Sequence, residues 1–434
     1  MAGTFFEFDK EIILLSQKAL EKCKNSFEYI DKTTEYNQQK VLSAFIENRV
    51  SDSHFAPSTG YGYDDRGRDT LDKVFAKSLG AQDALVRHSF MSGTHTLGVA
   101  LFGMLRPNDT MLCITGTPYD TIHSVIGLNG ANGQGSLVDF GIRYKQIDLD
   151  KNGKINEQLA VESLDDDSIK LVYIQRSRGY SLRDTFSVEE IQSVAQKIKE
   201  RKNVIIMVDN CYGEFVQTLE PTQVGADIIA GSLIKNPGGG IAKTGGYIAG
   251  REDLVELCSY RMTTAGIGRE VGASLGETRD MYMGLFNAPH VTGEALKSAV
   301  FASALFEIMG FDVSPKPNDI RYDIIQSIKL GSEELITAFC RGLQSGAPID
   351  SFVVPEAWEM PGYDSKVIMS AGAFTLGSSI ELSADAPIRE PFAVWLQGGL
   401  NFHSAKSAIM FAAQEVLKVQ GKIFKKLKVG VNLC

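Results

Sequence analysis

The stretch "GSLIKNPGGGIAKTGGYIAG", Gly231 to Gly250, sets two lysines, Lys235 and Lys243, among glycines. A lysine in such a setting suggests a phosphate nearby. The question is which lysine, and whether the phosphate belongs to a nucleotide. Lys243 fails the nucleotide test. A P-loop needs Gly immediately before its lysine and Gly six residues before it, and Ala242 and Pro237 stand there instead. A helix should follow, yet "GGYIAG" reads as a strand. Lys243 is therefore expected to be a solvated or backbone-bonding loop lysine.

Lys235 follows the β-rich run "ADIIAG" and belongs to a longer pattern. The runs "DALVRHSF", "TMLCIT", "IRYKQIDL", "KLVYIQ", "NVIIMVD", "ADIIAG" and "GGYIAG" alternate with helical stretches. One helix has a clear start in the capping box Ser187 and Glu190, with Val188, Ile191, Ala195 and Ile198 on one face. Continuous apolar strands alternating with helices predict an α/β fold with a mainly parallel, seven-stranded sheet covered on both faces. Residues 1–50 read as an N-terminal helical segment, 51–285 as the large domain and 286–434 as a smaller α+β domain. In the last, "SFVVP", "KVIMSAGAF" and "SSIELS" read as strands, and a final helix starts at His403.

Composition narrows the function. The chain has 434 residues, 44% of them hydrophobic and 22% charged, with a formal charge of -9. An acidic chain without basic runs disfavours nucleic acid as a partner. No stretch approaches membrane-spanning length, and the start lacks a signal-peptide pattern. Six scattered cysteines without a CxxC pair read as reduced thiols rather than as a metal site. A cytoplasmic location is expected.

Ligands of open parallel sheets sit outside the carboxyl ends of the strands. There the sequence places Asp209 after "VIIMV", Tyr119 after "TMLCIT", and Ser92, Gly93 and Thr94 where "DALVRHSF" runs into a helix. A helix N-terminus with hydroxyls suits a phosphate. A strand-end acid, an aromatic ring, a lysine and a phosphate cup together match pyridoxal phosphate. That cofactor needs an amine for its carbonyl carbon and an acid for its ring nitrogen. The lysine must lose its proton, so a depressed amine pKa is expected.

With these residues in view, "GSLIKNPGGG", "VDNCYGEF", "SGTHTLGVAL", "GTPYDT" and "SADAPIREP" resemble the methionine γ-lyase-like, aluminium-resistance proteins. These are a branch of the cystathionine-lyase-like group of fold type I. The resemblance runs from about residue 50 to 420. It implies that Lys235 carries pyridoxal 5'-phosphate, that Asp209 meets the ring nitrogen and that Tyr119 stacks on the ring. It also implies that Ser92, Gly93, Thr94 and Ser232 hold the phosphate and that Arg389 binds the substrate carboxylate. The activity it implies is β- or γ-elimination at a carbon–sulfur bond of an amino acid. In the wider group a Tyr-x-Arg reaches the neighbouring subunit's phosphate. Here "GYGYDDRGRD" leaves Tyr61, Tyr63, Arg66 and Arg68 as candidates in a homodimer or homotetramer. Ile234 stands where that group has a hydroxyl residue. Aminotransfer, aldol-type cleavage, and a regulator that binds the cofactor without turnover are the competing readings.

Overall fold

The computed structural model of the chain describes residues 5–61, 63–130, 133–359 and 365–431, with side chains followed to residue 421. In chain order the first elements are helix α1 (Lys10–Glu47), α2 (Arg66–Ser78), strand β1 (Asp83–Arg87), α3 (Gly93–Met104), β2 (Thr110–Cys113), α4 (Asp120–Ile126), β3 (Arg143–Gln146) and α5 (Glu157–Ser163). Then come β4 (Ile169–Gln175), α6 (Val188–Arg201), β5 (Ile205–Asp209), β6 (Ile228–Ser232), β7 (Gly246–Gly250), α7 (Glu252–Met262) and α8 (Thr278–Ile308). The chain closes with β8 (Asp312–Ser314), β9 (Gln326–Lys329), α9 (Glu333–Ser345), β10 (Val367–Ala371), β11 (Ser383–Pro387), β12 (Ala393–Gln397) and α10 (Phe402–Val431).

Two compact units form, Thr33–His290 and Met1–Lys32 with Val291–Cys434, so the division falls inside α1 and α8. The larger unit holds a seven-stranded sheet in the order β1-β7-β6-β5-β4-β2-β3. Strands β3, β2, β4, β5 and β6 are parallel, and β7 lies antiparallel between β6 and β1. All seven strands expected from sequence are present.

The continuous apolar runs have a direct cause. Val172, Ile174, Ile206 and Val208 enter one core with α2, α5, α6 and the start of α8. The alternate residues Leu171, Tyr173 and Met207 enter a second core with α3, α4 and α7. Both faces are buried, so no polar alternation is tolerated. The capping box at Ser187 forms as expected, and Val188, Ile191, Ala195 and Ile198 are buried on one face of α6.

The smaller unit holds an antiparallel sheet in the order β10-β11-β12-β9-β8. Here the sequence expectations need correction. "SFVVP" forms no strand, and Trp358 instead makes an isolated bridge to Val367. "SSIELS" enters a strand only at Ser383. The buried Glu381 carboxylate accepts the Phe374 and Thr375 amides at 2.8 and 2.9 Å, which holds that stretch as a turn. Strands β8, β9 and β12 are additional. β8 (DVS) and β9 (QSIK) carry no apolar run, and β12 (AVWLQ) carries one that the sequence reading passes over. Among the described residues no helix is long and apolar enough to cross a membrane.

Candidate active site

Asp209 is the last residue of β5 and Ser232 the last of β6, so the parallel pairing delivers both to one edge of the sheet. Lys235 follows three residues after β6. It precedes a short 3-10 turn, Asn236–Gly238. That turn is tight. A Cβ on Gly238 would stand 1.6 Å from the Leu233 carbonyl oxygen, and Gly239 has φ 55°, a conformation that favours glycine. The glycines after the lysine are thus a backbone requirement of its loop.

Three groups surround Lys235. The Nζ atom lies 3.7 Å from the centroid of the Tyr212 ring. Asp209, 8% exposed, accepts the Cys211 amide at 3.1 Å and, more loosely, the Tyr173 hydroxyl at 3.4 Å. Asn236 ties the lysine turn down by donating to the carbonyls of Tyr212 (3.1 Å) and Glu214 (3.0 Å).

The electrostatics reverse one expectation. Burial pushes the Lys235 ammonium down, but Cys211, Tyr212 and Asp209 outweigh it and the net shift is upward. Cys211 acts on the lysine only as a thiolate. Burial, with Asp209 alongside, holds its thiol far above the neutral range. Asp209 is the carboxylate of this set. A carboxylate beside the lysine favours its charged form, against the desolvation that favours the neutral amine. Asp209 in turn is raised by burial and pulled down by Lys235.

The helix N-terminus forms where the sequence placed it. Ser92 caps α3 by accepting the His95 amide at 3.1 Å, leaving the first amides of a twelve-residue helix directed outward. Thr94 shares a 2.7 Å hydrogen bond with Thr121, joining this end to α4. A Cβ on Gly93 would lie 3.5 Å from Ser232 Cβ and 3.7 Å from Cys211 Sγ, so a side chain there would occupy the hollow. Tyr119 precedes α4. Its amide donates to Gln175 Oε1 at 2.6 Å, and its ring meets Tyr180 edge-on at 5.7 Å. His95 and His123 have local roles: the former accepts the Met91 amide, the latter contacts the Pro118 carbonyl.

Ser92, Gly93, Thr94, Tyr119, Asp209, Ser232 and Lys235 therefore all lie at the carboxyl edge of one sheet. The donor set fits pyridoxal phosphate. Three hydroxyls and the helix amides suit the phosphate, Asp209 a protonated ring nitrogen, and Lys235 a carbonyl carbon. Tyr61, Tyr63 and Arg66 are exposed, the two tyrosines at 86% and 75%. Arg68 is buried and donates to the Glu270 carbonyl at 3.2 Å. Arg389 is exposed just after β11 in the smaller unit. Lys243 is exposed and pairs with Asp280 at 2.9 Å, as a solvated loop lysine does.

The sequence reading passes over Tyr212 and Glu214, although both lie in the quoted "VDNCYGEF". The only signal for Tyr212 would have been its position three residues after Asp209. Its φ of 71° is invisible in sequence.

Comparisons with known proteins agree with this geometry. The family model described as methionine gamma-lyase matches residues 12–417. A protein of Bacillus subtilis (strain 168), "Uncharacterized protein YnbB", is 50% identical over 392 residues, covering 90% of this chain and 93% of its own. The crystal structure of a carbon-sulfur lyase involved in aluminum resistance from Clostridium novyi NT is 52% identical. It superposes with a TM-score of 0.91 over 94% of this chain and 96% of that one. The methionine gamma lyase CalE6 of Micromonospora echinospora shares 20% identity over 80% of this chain and 85% of its own, with a TM-score of 0.54, a likeness of fold. With a family match across nearly its whole length and the strand-end lysine and acid of a fold type I sheet, this chain belongs to the methionine γ-lyase family.

Proposed function

We propose that the chain is a pyridoxal-phosphate-dependent lyase that cleaves a carbon–sulfur bond of an amino acid by β- or γ-elimination. The observation that supports this reading best is the delivery of Asp209 and Lys235 by adjacent parallel strands β5 and β6, next to the capped N-terminus of α3. When bound, the cofactor supplies an electron sink for charge that develops on the substrate's α-carbon.

The chain's own residues do the rest. Lys235 Nζ is the amine that would hold the cofactor's carbonyl carbon and the basic atom that would move a proton at the substrate's α-carbon. Asp209 would hold the proton on the ring nitrogen, pairing its carboxylate with that positive charge. Ser92, Gly93, Thr94 and Ser232 hold the phosphate with neutral donors. Tyr119 presents a ring and a phenol at the rim. Arg389 is the residue proposed to take the substrate carboxylate as a bidentate partner. The protein is proposed to work in the cytoplasm as a homodimer, or a pair of dimers, in which the exposed Tyr61, Tyr63 and Arg66 serve a second copy.

The test is product analysis of the cofactor-loaded protein with a panel of sulfur amino acids. The expected products are a thiol, a keto acid and ammonia in equal amounts. Borohydride should fix the cofactor to the peptide carrying Lys235. Amine exchange with a second keto acid, release of an aldehyde, or bound cofactor with no turnover would each replace the lyase reading.

A further inference from the structure

A second acid stands behind the lysine. Glu214 is wholly buried, and its carbonyl oxygen accepts Asn236, the residue after Lys235. Its Oε1 atom accepts the Tyr247 hydroxyl at 2.7 Å. Strand β6 crosses this pair at its one residue without a side chain. A Cβ on Gly231 would stand 2.6 Å from Glu214 Oε1 and 2.9 Å from Tyr247 Oη. The other oxygen, Oε2, has no hydrogen-bond partner among the described residues.

The charges around Glu214 are already matched elsewhere. Arg176, fully buried at the end of β4, donates to Asn210 Oδ1, the Gly213 carbonyl and Gln217 Oε1 at 2.8, 3.0 and 3.0 Å. Its opposite charge is Glu220, 3.8 Å away. Glu220 accepts the Phe215 amide at 2.9 Å and Asn210 Nδ2 at 3.0 Å. Lys235 has Asp209 as its anion. No salt bridge reaches Glu214 among the described residues. A carboxylate with one neutral donor and no cation is poorly solvated, whereas the protonated acid carries no net charge to desolvate.

We propose that Glu214 is a positioning residue held as an uncharged acid, filling the wall behind Lys235 without adding a second anion to the one at Asp209. This rests on Lys235 being the residue that carries the cofactor. The groups facing Glu214 agree with the assignment. Burial, reinforced by Glu220, pushes its carboxyl up to about 8, although the Tyr247 hydroxyl and Lys235 pull the other way. Cys211 faces it as a neutral thiol. The consequence is specific. While Glu214 keeps its proton, only Asp209 opposes loss of the proton from the lysine amine. Once Glu214 ionises at alkaline pH, a second negative charge strengthens the hold on that proton.

The test uses the full-length protein and Glu214→Gln, which keeps the shape and removes the ionisable group. The infrared spectrum of the wild type at pH 6.5 should contain a protonated-carboxyl C=O stretch that Glu214→Gln lacks. In the cofactor-loaded protein, a pH midpoint of the bound chromophore's absorption change that lies below about pH 8 should stay in place in Glu214→Gln, since one neutral group replaces another, whereas one above about pH 8 should fall by about one unit, roughly tenfold in proton affinity. If Glu214→Gln does not fold, Tyr247→Phe serves: losing the donor to Oε1 should keep the C=O stretch visible to higher pH than in the wild type. An infrared spectrum without that stretch, a midpoint below about pH 8 that falls in Glu214→Gln, or one above about pH 8 that does not, overturns the assignment. The infrared arm needs no cofactor. A protein that shows the band but takes up no pyridoxal phosphate refutes the functional reading and leaves Glu214 an uncharged wall residue.

Discussion

The Nζ atom of Lys235 lies 3.7 Å from the centre of the Tyr212 ring, and Tyr212 adopts a left-handed backbone, φ 71°, in placing its ring there. A non-glycine residue in that region is strained by about 1–3 kcal/mol and persists only where its surroundings over-determine it. Asn236 supplies part of that constraint through the Tyr212 carbonyl. A desolvated cation over a ring is worth about 2 kcal/mol. Tyr212→Ala should therefore destabilise the cofactor-free protein by about 1–2 kcal/mol in urea unfolding, and Tyr212→Phe, which keeps the ring but loses the hydroxyl's bond to Lys235, by less than that. Equal losses from the two variants would mean that the hydroxyl, not the ring face, is what matters.

Asp209 is buried and faces Lys235 across the strand ends. Asp209→Asn keeps size and the acceptor for the Cys211 amide but cannot hold a positive ring nitrogen. Turnover at saturating cofactor should drop by about 3 kcal/mol of barrier, roughly a hundredfold, with the fold intact by circular dichroism. A variant with near-wild-type turnover would remove Asp209 from the mechanism.

Gly238 and Gly421 make a contrasting pair. A Cβ at Gly238 would overlap the Leu233 carbonyl oxygen at 1.6 Å, so Gly238→Ala must displace the lysine turn. A loss of about 2–3 kcal/mol is expected, together with loss of cofactor uptake. Gly421 lies within α10 with nothing within 4 Å of its Cβ position. Gly421→Ala should be neutral or stabilising by up to about 1 kcal/mol. Thermal melts of both variants decide the matter.

Glu214 makes stability depend on pH with a definite sign. Its pKa rises from 4.5 to about 8 on folding. Below about pH 4.5 both folded and unfolded chains hold the proton. Between there and about pH 8 only the folded chain does, so each rise in pH favours the unfolded state, by about 4–5 kcal/mol in total. Glu214→Gln lacks this term. Its unfolding free energy should increase relative to that of the wild type from pH 5 to pH 8 by that order, the variant becoming relatively more stable. A constant difference across the range would show that Glu214 is ionised throughout.

The exposed arm predicts complementation. Lys235→Ala and the triple variant Tyr61→Phe, Tyr63→Phe, Arg66→Ala should each be nearly inactive. If the arm serves a second copy, mixing them under conditions that exchange subunits should restore activity, because heterodimers carry one intact site. If each arm serves its own chain, no activity returns.

Sequence alone determined the larger sheet and the position of Asp209 and Lys235 at its carboxyl edge. Strands buried on both faces read as unbroken apolar runs, and residues that end such strands must reach the ligand edge, so Asp209 and Lys235 were legible from position. The antiparallel strands β8 and β9 were not, because DVS and QSIK carry no apolar run, and the apolar run of β12, AVWLQ, was passed over. The protonation of Lys235 was not legible: the chemistry asks for a depressed amine, whereas in the cofactor-free chain the groups beside it raise it against burial. Tyr212 over Lys235 depends on a backbone angle that the sequence does not display. Glu214 meets Tyr247 across 33 residues, under the gap left by Gly231. Only the register of β7 against β6, which sets Tyr247 opposite Gly231, brings that acid and its phenol together. Chain order specifies which residues end a strand; tertiary packing decides which side chains lie behind them and what charge they keep.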